Sequence, residues 1–166
     1  MTKASFQLSP IVAAGFELVA EGVPQVVGAK DPETAVAVSG LSVVETANSA
    51  RSHLAAALWR RASNVPAVSA GTHPAAAIDP GAIAAAGRHR LPLPRLRPRH
   101  ISDVRQDGDL VITVCDLAHE ELGETAAVHW SVPGPAPADD PGSFDAALAQ
   151  LADRVGRLAP RLAAIS

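Results

Sequence analysis

The chain has 166 residues, a formal net charge of −3 and a single cysteine, with 48% hydrophobic and 19% charged residues. This length suits one domain, and the apolar content and modest charge argue against a disordered or strongly basic chain. One cysteine excludes an internal disulfide and a multi-cysteine metal site. His119 with Glu120 and Glu121 has no second cluster to complete a metal site, so we assign no metal, and we assign no cofactor. No apolar run approaches the roughly 20 residues that span a bilayer, and the amino terminus lacks the layout of a secretory signal. We therefore expect a cytoplasmic protein that does not bind membranes.

The first 38 residues differ from the rest in their sequence pattern. Ser9 followed by Pro10 predicts a helix start, because the hydroxyl can cap free N–H groups and proline suits the first helical position. A short apolar stripe follows and ends near Pro24. We predict a helical extension over residues 1–38, packed on a main domain over residues 39–166. Whether this extension is a lid, a filler of the site or a dimer contact stays open.

From Leu41 onward, strands alternate with helices. The predicted strands are Leu41–Val44, Pro66–Ala70, Leu110–Val114 and Val128–Val132. The predicted helices are Ser52–Arg61, Pro80–Arg88 and Ser143–Ala164, the last bent near Pro160. The apolar character of the third strand is typical of a parallel strand that is covered on both faces. The order predicts an α/β fold, a three-layer sandwich around a four-stranded parallel sheet.

The segment Arg88–His100 is the most cationic part of the chain, with five arginines and two histidines among leucines and prolines. A solvated loop is one interpretation; contact with an acidic partner or an anionic ligand is the other. Nucleic acid is disfavoured, because the net charge is negative and the chain has no Tyr and only three Phe for base stacking.

The turn after the first of these strands is the candidate site. A tight turn between a buried strand and a helix points successive backbone N–H groups into one concavity, at the positive end of the helix dipole. Such a nest binds anions, and Arg51 at the helix entry adds a bidentate fork for phosphate, arsenate or sulfate. An ordinary strand-to-helix turn is the alternative. The candidate ligand-binding residues are Thr46, Ala47, Asn48, Ser49, Ala50, Arg51 and Ser52.

This turn resembles the phosphate loop of the low-molecular-weight tyrosine phosphatases and the related arsenate reductases. Asn48, Ser49, Arg51 and Ser52 fall on their family positions, and the helix that follows is similar to the family's first helix. Asp109–Asp116 resembles the third strand of the arsenate reductases. The resemblance runs in the right order over about residues 40–162, and it implies the fold of that family.

The chain differs from this family at the residues that carry out its chemistry. The nucleophilic cysteine is replaced by Glu45, the loop glycine by Ala47, and the general-acid aspartate by Gly134. Cys115 resembles the first relay cysteine of the arsenate reductases, but Leu122 stands where its partner is expected. A carboxylate is a weak nucleophile towards phosphorus, and one thiol cannot run a disulfide relay. We therefore expect neither phosphatase nor arsenate reductase activity.

Three roles remain open for Glu45. Its carboxylate can turn into the nest and pair with Arg51, so that the protein supplies its own anion. Alternatively, Glu45 and Arg51 can act as the catalytic residues of a repurposed enzyme in specialised metabolism, with Glu45 as acid or base. The third interpretation is a site that has lost its function, in which Glu45 only holds the loop in place. The first hypothesis describes a degenerate phosphatase-like protein that binds a small anionic ligand, or an acidic or phosphorylated partner, at the former phosphate loop. A homodimer is also possible.

Overall fold

The computed structural model describes residues 16–18, 24–26, 35–94, 97–135 and 140–165, with the backbone alone at the first two segments. Its strands are β1 Phe16–Leu18, β2 Pro24–Val26, β3 Val36–Val38, β4 Gly40–Glu45, β5 Ala67–Gly71, β6 Asp109–Thr113, β7 Val128–His129 and β8 Leu162–Ala164. Its helices are α1 Arg51–Ala62, α2 Pro80–Arg88, α3 Ile101–Val104, α4 Asp116–Leu122 and α5 Pro141–Leu158. Two 3₁₀ turns cover Gly123–Thr125 and Ala159–Arg161.

The central sheet has four parallel strands in the order β5-β4-β6-β7. The predicted α/β fold with a four-stranded parallel sheet is therefore confirmed. Strand β4 lies inside this sheet, hydrogen bonded to a neighbour on each side, and all of its residues are buried. Its carboxyl end is consequently held on both sides, and the turn after Glu45 starts from a fixed point.

Side chains that alternate along the inner strands fill two separate apolar layers. Leu41 and Val43 of β4 belong to the larger core cluster, which includes residues of α1, α2 and α5. Val44 belongs to the second cluster, together with Ile101 of α3 and Ala118 of α4. Because neighbouring strand residues point to opposite faces, this division gives the three layers that the sequence predicted.

The two ends of the domain pair with each other. Strand β8 runs parallel to β3, with Val36 opposite Leu162 and Val38 opposite Ala164. Val38 is fully buried in the larger core cluster, so the packed domain begins before residue 39. The prediction of one helix over Ser143–Ala164 is wrong at its end. The helix stops at Leu158, where Pro160 has no N–H group to continue it and falls in a 3₁₀ turn.

The helical character predicted for residues 1–38 is wrong where the structure describes them. β1 and β2 form an antiparallel pair, with Phe16 opposite Val26. The predicted helix start at Ser9 and Pro10 lies outside the described residues. Strands of three residues carry too few positions to distinguish a strand period from a helical one, so the apolar stripe also fits a helix.

The other differences are smaller. The last strand of the main sheet is Val128–His129 only, and α3 and α4 were not predicted. Both missed helices are short, at 4 and 7 residues, so they leave little periodicity in the sequence. In the described part of the chain, no helix has the length and apolar character needed to cross a membrane.

Candidate functional site

The candidate site lies at the carboxyl end of β4. Glu45 is the last residue of that strand and is 3% exposed. Helix α1 begins at Arg51, and its capping residue Ala50 has no side chain that can accept from the first N–H groups of the helix. Those donors therefore need another acceptor.

The carboxylate of Glu45 is that acceptor. Its Oε1 accepts hydrogen bonds from the backbone N–H groups of Ser49 (3.0 Å), Ala50 (2.8 Å) and Ser52 (3.2 Å). The Ser52 hydroxyl donates a further bond of 2.9 Å to the same oxygen. Three backbone donors and one side-chain donor thus converge on one buried oxygen, next to the positive end of α1. The loop forms an anion nest, and the chain's own side chain fills it.

Arg51 closes the site from the other side. Its Nε donates to Glu45 Oε2 at 3.2 Å, and its Nη1 donates to the carbonyl oxygen of Val132 at 2.7 Å. The two charged side chains are 17% and 4% exposed, so this ion pair is largely withdrawn from water. A Cβ atom added to Gly134 would lie 3.8 Å from the guanidinium group. The segment after β7 therefore covers Arg51.

Asn48 holds the loop in its shape. It is fully buried and has a φ of +48°, a conformation that asparagine tolerates better than most residues. Its Nδ2 donates to Ser52 Oγ at 2.8 Å, and its Oδ1 accepts from the Arg99 N–H at 2.8 Å. The same hydroxyl of Ser52 donates a hydrogen bond to Glu45 Oε1, so a single chain of hydrogen bonds links Asn48 to the carboxylate.

His53 connects the loop to strand β5. Its Nε2 lies 2.8 Å from the carbonyl oxygen of Asn48, and its Nδ1 lies 3.1 Å from Ser69 Oγ. The neutral ring with its proton on Nε2 satisfies both contacts, because it donates to the carbonyl and accepts from the hydroxyl. Burial lowers the pKa of His53, although the Asn48 carbonyl and the Glu45 charge oppose this effect. The ring therefore acts as a neutral structural support.

The loop is also tied to the chain that follows β5. The carbonyl oxygens of Thr46 and Ser49 accept from the N–H groups of His73 and Asp79, at 2.8 Å each. Gly71 allows this close approach, because a Cβ atom there would lie 2.7 Å from the carbonyl oxygen of Thr46. The backbone of the nest is thus fixed on the side away from α1.

A polar cluster beside the ion pair was not predicted. Asp116 Oδ1 accepts from Ser131 Oγ and from His129 Nε2, at 2.9 Å each. His129 Nδ1 lies 2.9 Å from Thr113 Oγ1, and its ring stacks on that of His119 with centroids 4.2 Å apart. The bonds from Ser131 and His129, with a smaller effect of the Arg51 charge, hold the pKa of Asp116 below its usual value. Burial and the neighbouring His129 lower the pKa of His119.

A signal for this cluster exists in the sequence. Asp116 lies three residues after the end of the buried strand β6, and parallel strands bring their carboxyl ends to one edge of a sheet. His129 ends the neighbouring strand β7, so the two side chains meet there.

The predicted residues all lie in this one loop, but they play different parts. Ser49, Ala50 and Ser52 offer N–H groups to the nest, whereas Asn48 stabilises its shape. The side chain of Thr46 points elsewhere, with its Oγ1 3.3 Å from the Sγ atom of the buried Cys115. The carbonyl oxygen of Ala47 accepts from the Ala75 N–H at 2.8 Å.

The family model described as low molecular weight phosphotyrosine protein phosphatase matches residues 40–165. The chain belongs to this family. The predicted resemblance is therefore confirmed over the whole domain that contains the loop. No curated protein matches the chain.

Solved structures of this family are similar to the chain over most of its length. An arsenate reductase from Archaeoglobus fulgidus has 28% identity and a TM-score of 0.61, covering 72% of this chain and 98% of its own. The tyrosine phosphatase Wzb from Escherichia coli K30, in complex with sulphate, has 22% identity and a TM-score of 0.64, covering 74% and 96%. A YwlE mutant from Bacillus subtilis has 17% identity and a TM-score of 0.61, covering 72% and 95%.

Proposed function

We propose that this protein is a catalytically degenerate member of the family that works as a binding protein, with Glu45 as a built-in anion in the former phosphate loop. The contacts of the Glu45 carboxylate support this proposal. Its two oxygens take up the N–H groups of the nest and the Nε of Arg51, which are the groups that a bound oxyanion needs. Phosphate, sulfate or arsenate would therefore have to displace the Glu45 carboxylate to reach these donors.

The length of the side chain explains how glutamate fills the nest. In a phosphorylated cysteine, the phosphorus is the third atom from Cα, after Cβ and Sγ. In glutamate the carboxyl carbon is also the third atom from Cα, after Cβ and Cγ. The carboxylate of Glu45 thus stands in for a phosphoryl group attached to the family's nucleophile. On this proposal the protein permanently holds the loop in an anion-bound state.

A second candidate is the repurposed enzyme that uses Glu45 and Arg51. The Asp116–His129 pair favours it, because a hydrogen-bonded carboxylate and imidazole beside an arginine can move a proton. Against it stands the burial of Glu45, whose side chain is 4% exposed and whose Oε1 has its acceptor positions taken. The binding protein is therefore our first choice.

Hydrolysis of a small aryl phosphate by the purified protein tests the loss of phosphatase activity. We expect no turnover by the wild type above that of Arg51→Ala. Turnover that disappears in Arg51→Ala would overturn the proposal.

Glu45→Cys tests whether the nest itself is intact. The new thiolate would receive the same N–H groups and the Arg51 charge, which stabilise its ionised form. We expect it to react with iodoacetate faster than the buried Cys115, and to attack an aryl phosphate, so that an S–P bond forms, the P–O bond breaks and the phenolate leaves. An inert thiol would mean that the loop cannot serve as an anion nest.

The proposal includes a small anionic ligand or a partner that the loop binds, and neither is identified by the contacts described above. An acidic or phosphorylated partner, a cytoplasmic location and a homodimer stay predictions.

A further inference from the structure

A second concavity lies apart from the nest. It has a volume of about 740 Å³ and is lined by Ala76, Ala77, Ile78, Ile83, Leu93, Pro94 and Arg97. No residue of the loop 45–52 belongs to this lining. Its volume falls in the range of roughly 300–1,000 Å³ that is typical of small-molecule sites.

Fixed backbone forms one wall of this pocket. The segment Ala76–Ile78 lies between two anchors, at Ala75 and Asp79, whose N–H groups each donate 2.8 Å bonds to carbonyl oxygens of the anion nest. Asp79 also caps α2 by accepting from the Gly81 N–H at 2.8 Å. Gly81 lies directly against the Phe144 ring, which leaves no room for a Cβ atom there. This wall of the pocket is thus preformed, which lowers the cost of ordering it on binding.

The chemistry of the lining is apolar with one charge. Arg97 is the charged residue of the pocket wall, and the structure gives it no ion pair with any described acidic residue. It belongs to the cationic segment Arg88–His100, from which Arg99 donates its backbone N–H to Asn48 of the loop. Ile83, which also lines the pocket, is 53% exposed, so a large apolar side chain is open to a ligand there. An apolar body with a negative end complements both features.

We propose that this pocket binds a small organic anion with an apolar body, of the class of medium-chain carboxylates. The apolar chain lies against Ile78, Ile83 and Leu93, and the carboxylate pairs with Arg97. This site is separate from the Glu45 nest, so it stands or falls independently of the function proposed above.

Titration calorimetry with octanoate and with its neutral analogue octanamide tests the proposal on the full-length chain. The wild type is expected to bind octanoate saturably and at least fivefold more tightly than the amide, because hydrogen bonds to charged groups are the stronger ones. Equal affinity for the two compounds, or no saturable binding of octanoate, would overturn the proposal.

Two matched pairs of variants locate the site. Arg97→Gln should weaken octanoate binding about tenfold and remove the preference over octanamide, since a charge-assisted bond is lost. Arg105→Gln, at an exposed arginine outside the pocket, should change neither affinity. Ile83→Ser should weaken both ligands, whereas Ala84→Ser on the same helix should not. Octanoate affinity that is unchanged in Arg97→Gln and Ile83→Ser would place the binding elsewhere and refute the pocket.

Discussion

Replacing Glu45 with alanine should open the nest and make the protein dependent on an external anion. The substitution leaves the donors of Ser49, Ala50, Ser52 and Arg51 without their buried acceptor. Removing one partner of a buried ion pair costs about 3–5 kcal/mol. Because the Arg51 side chain keeps 17% exposure, we expect the lower end, about 3 kcal/mol. For a chain of this size that lowers Tm by about 6–12 °C.

Phosphate should then restore most of the loss. A ligand at 100 times its Kd stabilises the folded state by about 2.7 kcal/mol, which corresponds to about 5–11 °C in Tm. The assay is a thermal-shift titration of wild type and Glu45→Ala with phosphate, sulfate and arsenate. Sodium chloride at matched ionic strength controls for screening.

The control variants separate the nest from general effects. Glu120→Ala, at an exposed glutamate of α4, should stay within about 0.5 kcal/mol of wild type and should not respond to phosphate. Adding Arg51→Ala to Glu45→Ala should abolish the response. If phosphate raises the Tm of the wild type as much as that of Glu45→Ala, the nest is not occupied by Glu45 and the proposal is refuted. If Glu45→Ala does not fold in buffer alone, refolding it with and without phosphate gives the same comparison.

Three further changes test the support of the loop. Gly71→Ala should destabilise by about 1–3 kcal/mol in urea unfolding, because the new Cβ atom meets backbone at 2.7 Å, whereas Gly87→Ala, with nothing within 4 Å, should be neutral or stabilising. Ser52→Ala should cost about 1–3 kcal/mol by leaving the Asn48 amide without its buried acceptor, and a neutral result would contradict the hydrogen-bond chain. Because the folded-state pKa of His53 is lowered from 6.5, the unfolded chain binds more protons near and below that pH, so the His53 contribution to stability is present above pH 6.5 and lost as the pH falls. The unfolding free energy of His53→Gln should fall less between pH 7 and pH 5 than that of the wild type, and equal slopes would exclude this role.

The sequence predicts the main sheet and the loop well because these parts carry strong local signals. Leu110–Val114 is apolar except for Thr113, and Asn48, Arg51 and Ser52 stand at family spacings, so both the strand and the nest can be recognised from the sequence. The position of the Glu45 carboxylate could only be one of several hypotheses. A glutamate at a strand end can turn inward or outward, and the choice depends on donors that converge only in the folded chain.

Pairings between residues that are distant in the chain could not be predicted from the sequence. Leu162–Ala164 has helix-favouring composition, and its strand conformation comes from the edge that Val36–Val38 offers across the whole domain. The same holds for the Asp116 cluster, whose members lie on separate elements that meet at one sheet edge. Tertiary contacts override local propensity in both cases.

The pairing of β3 with β8 decides from where any attached sequence leaves the domain. Val38 is followed within two residues by the start of β4, and it lies opposite Ala164. Both ends of the domain thus lie at the end of the sheet where β4 begins, whereas the nest lies where β4 finishes. Strand β4 has 6 residues, and at roughly 3.3 Å for each step between neighbouring residues its first and last Cα atoms lie about 17 Å apart. An affinity tag or a fluorescent protein joined after Ala164 would emerge at the opposite end from Glu45, so this is where a label for pull-down or imaging belongs.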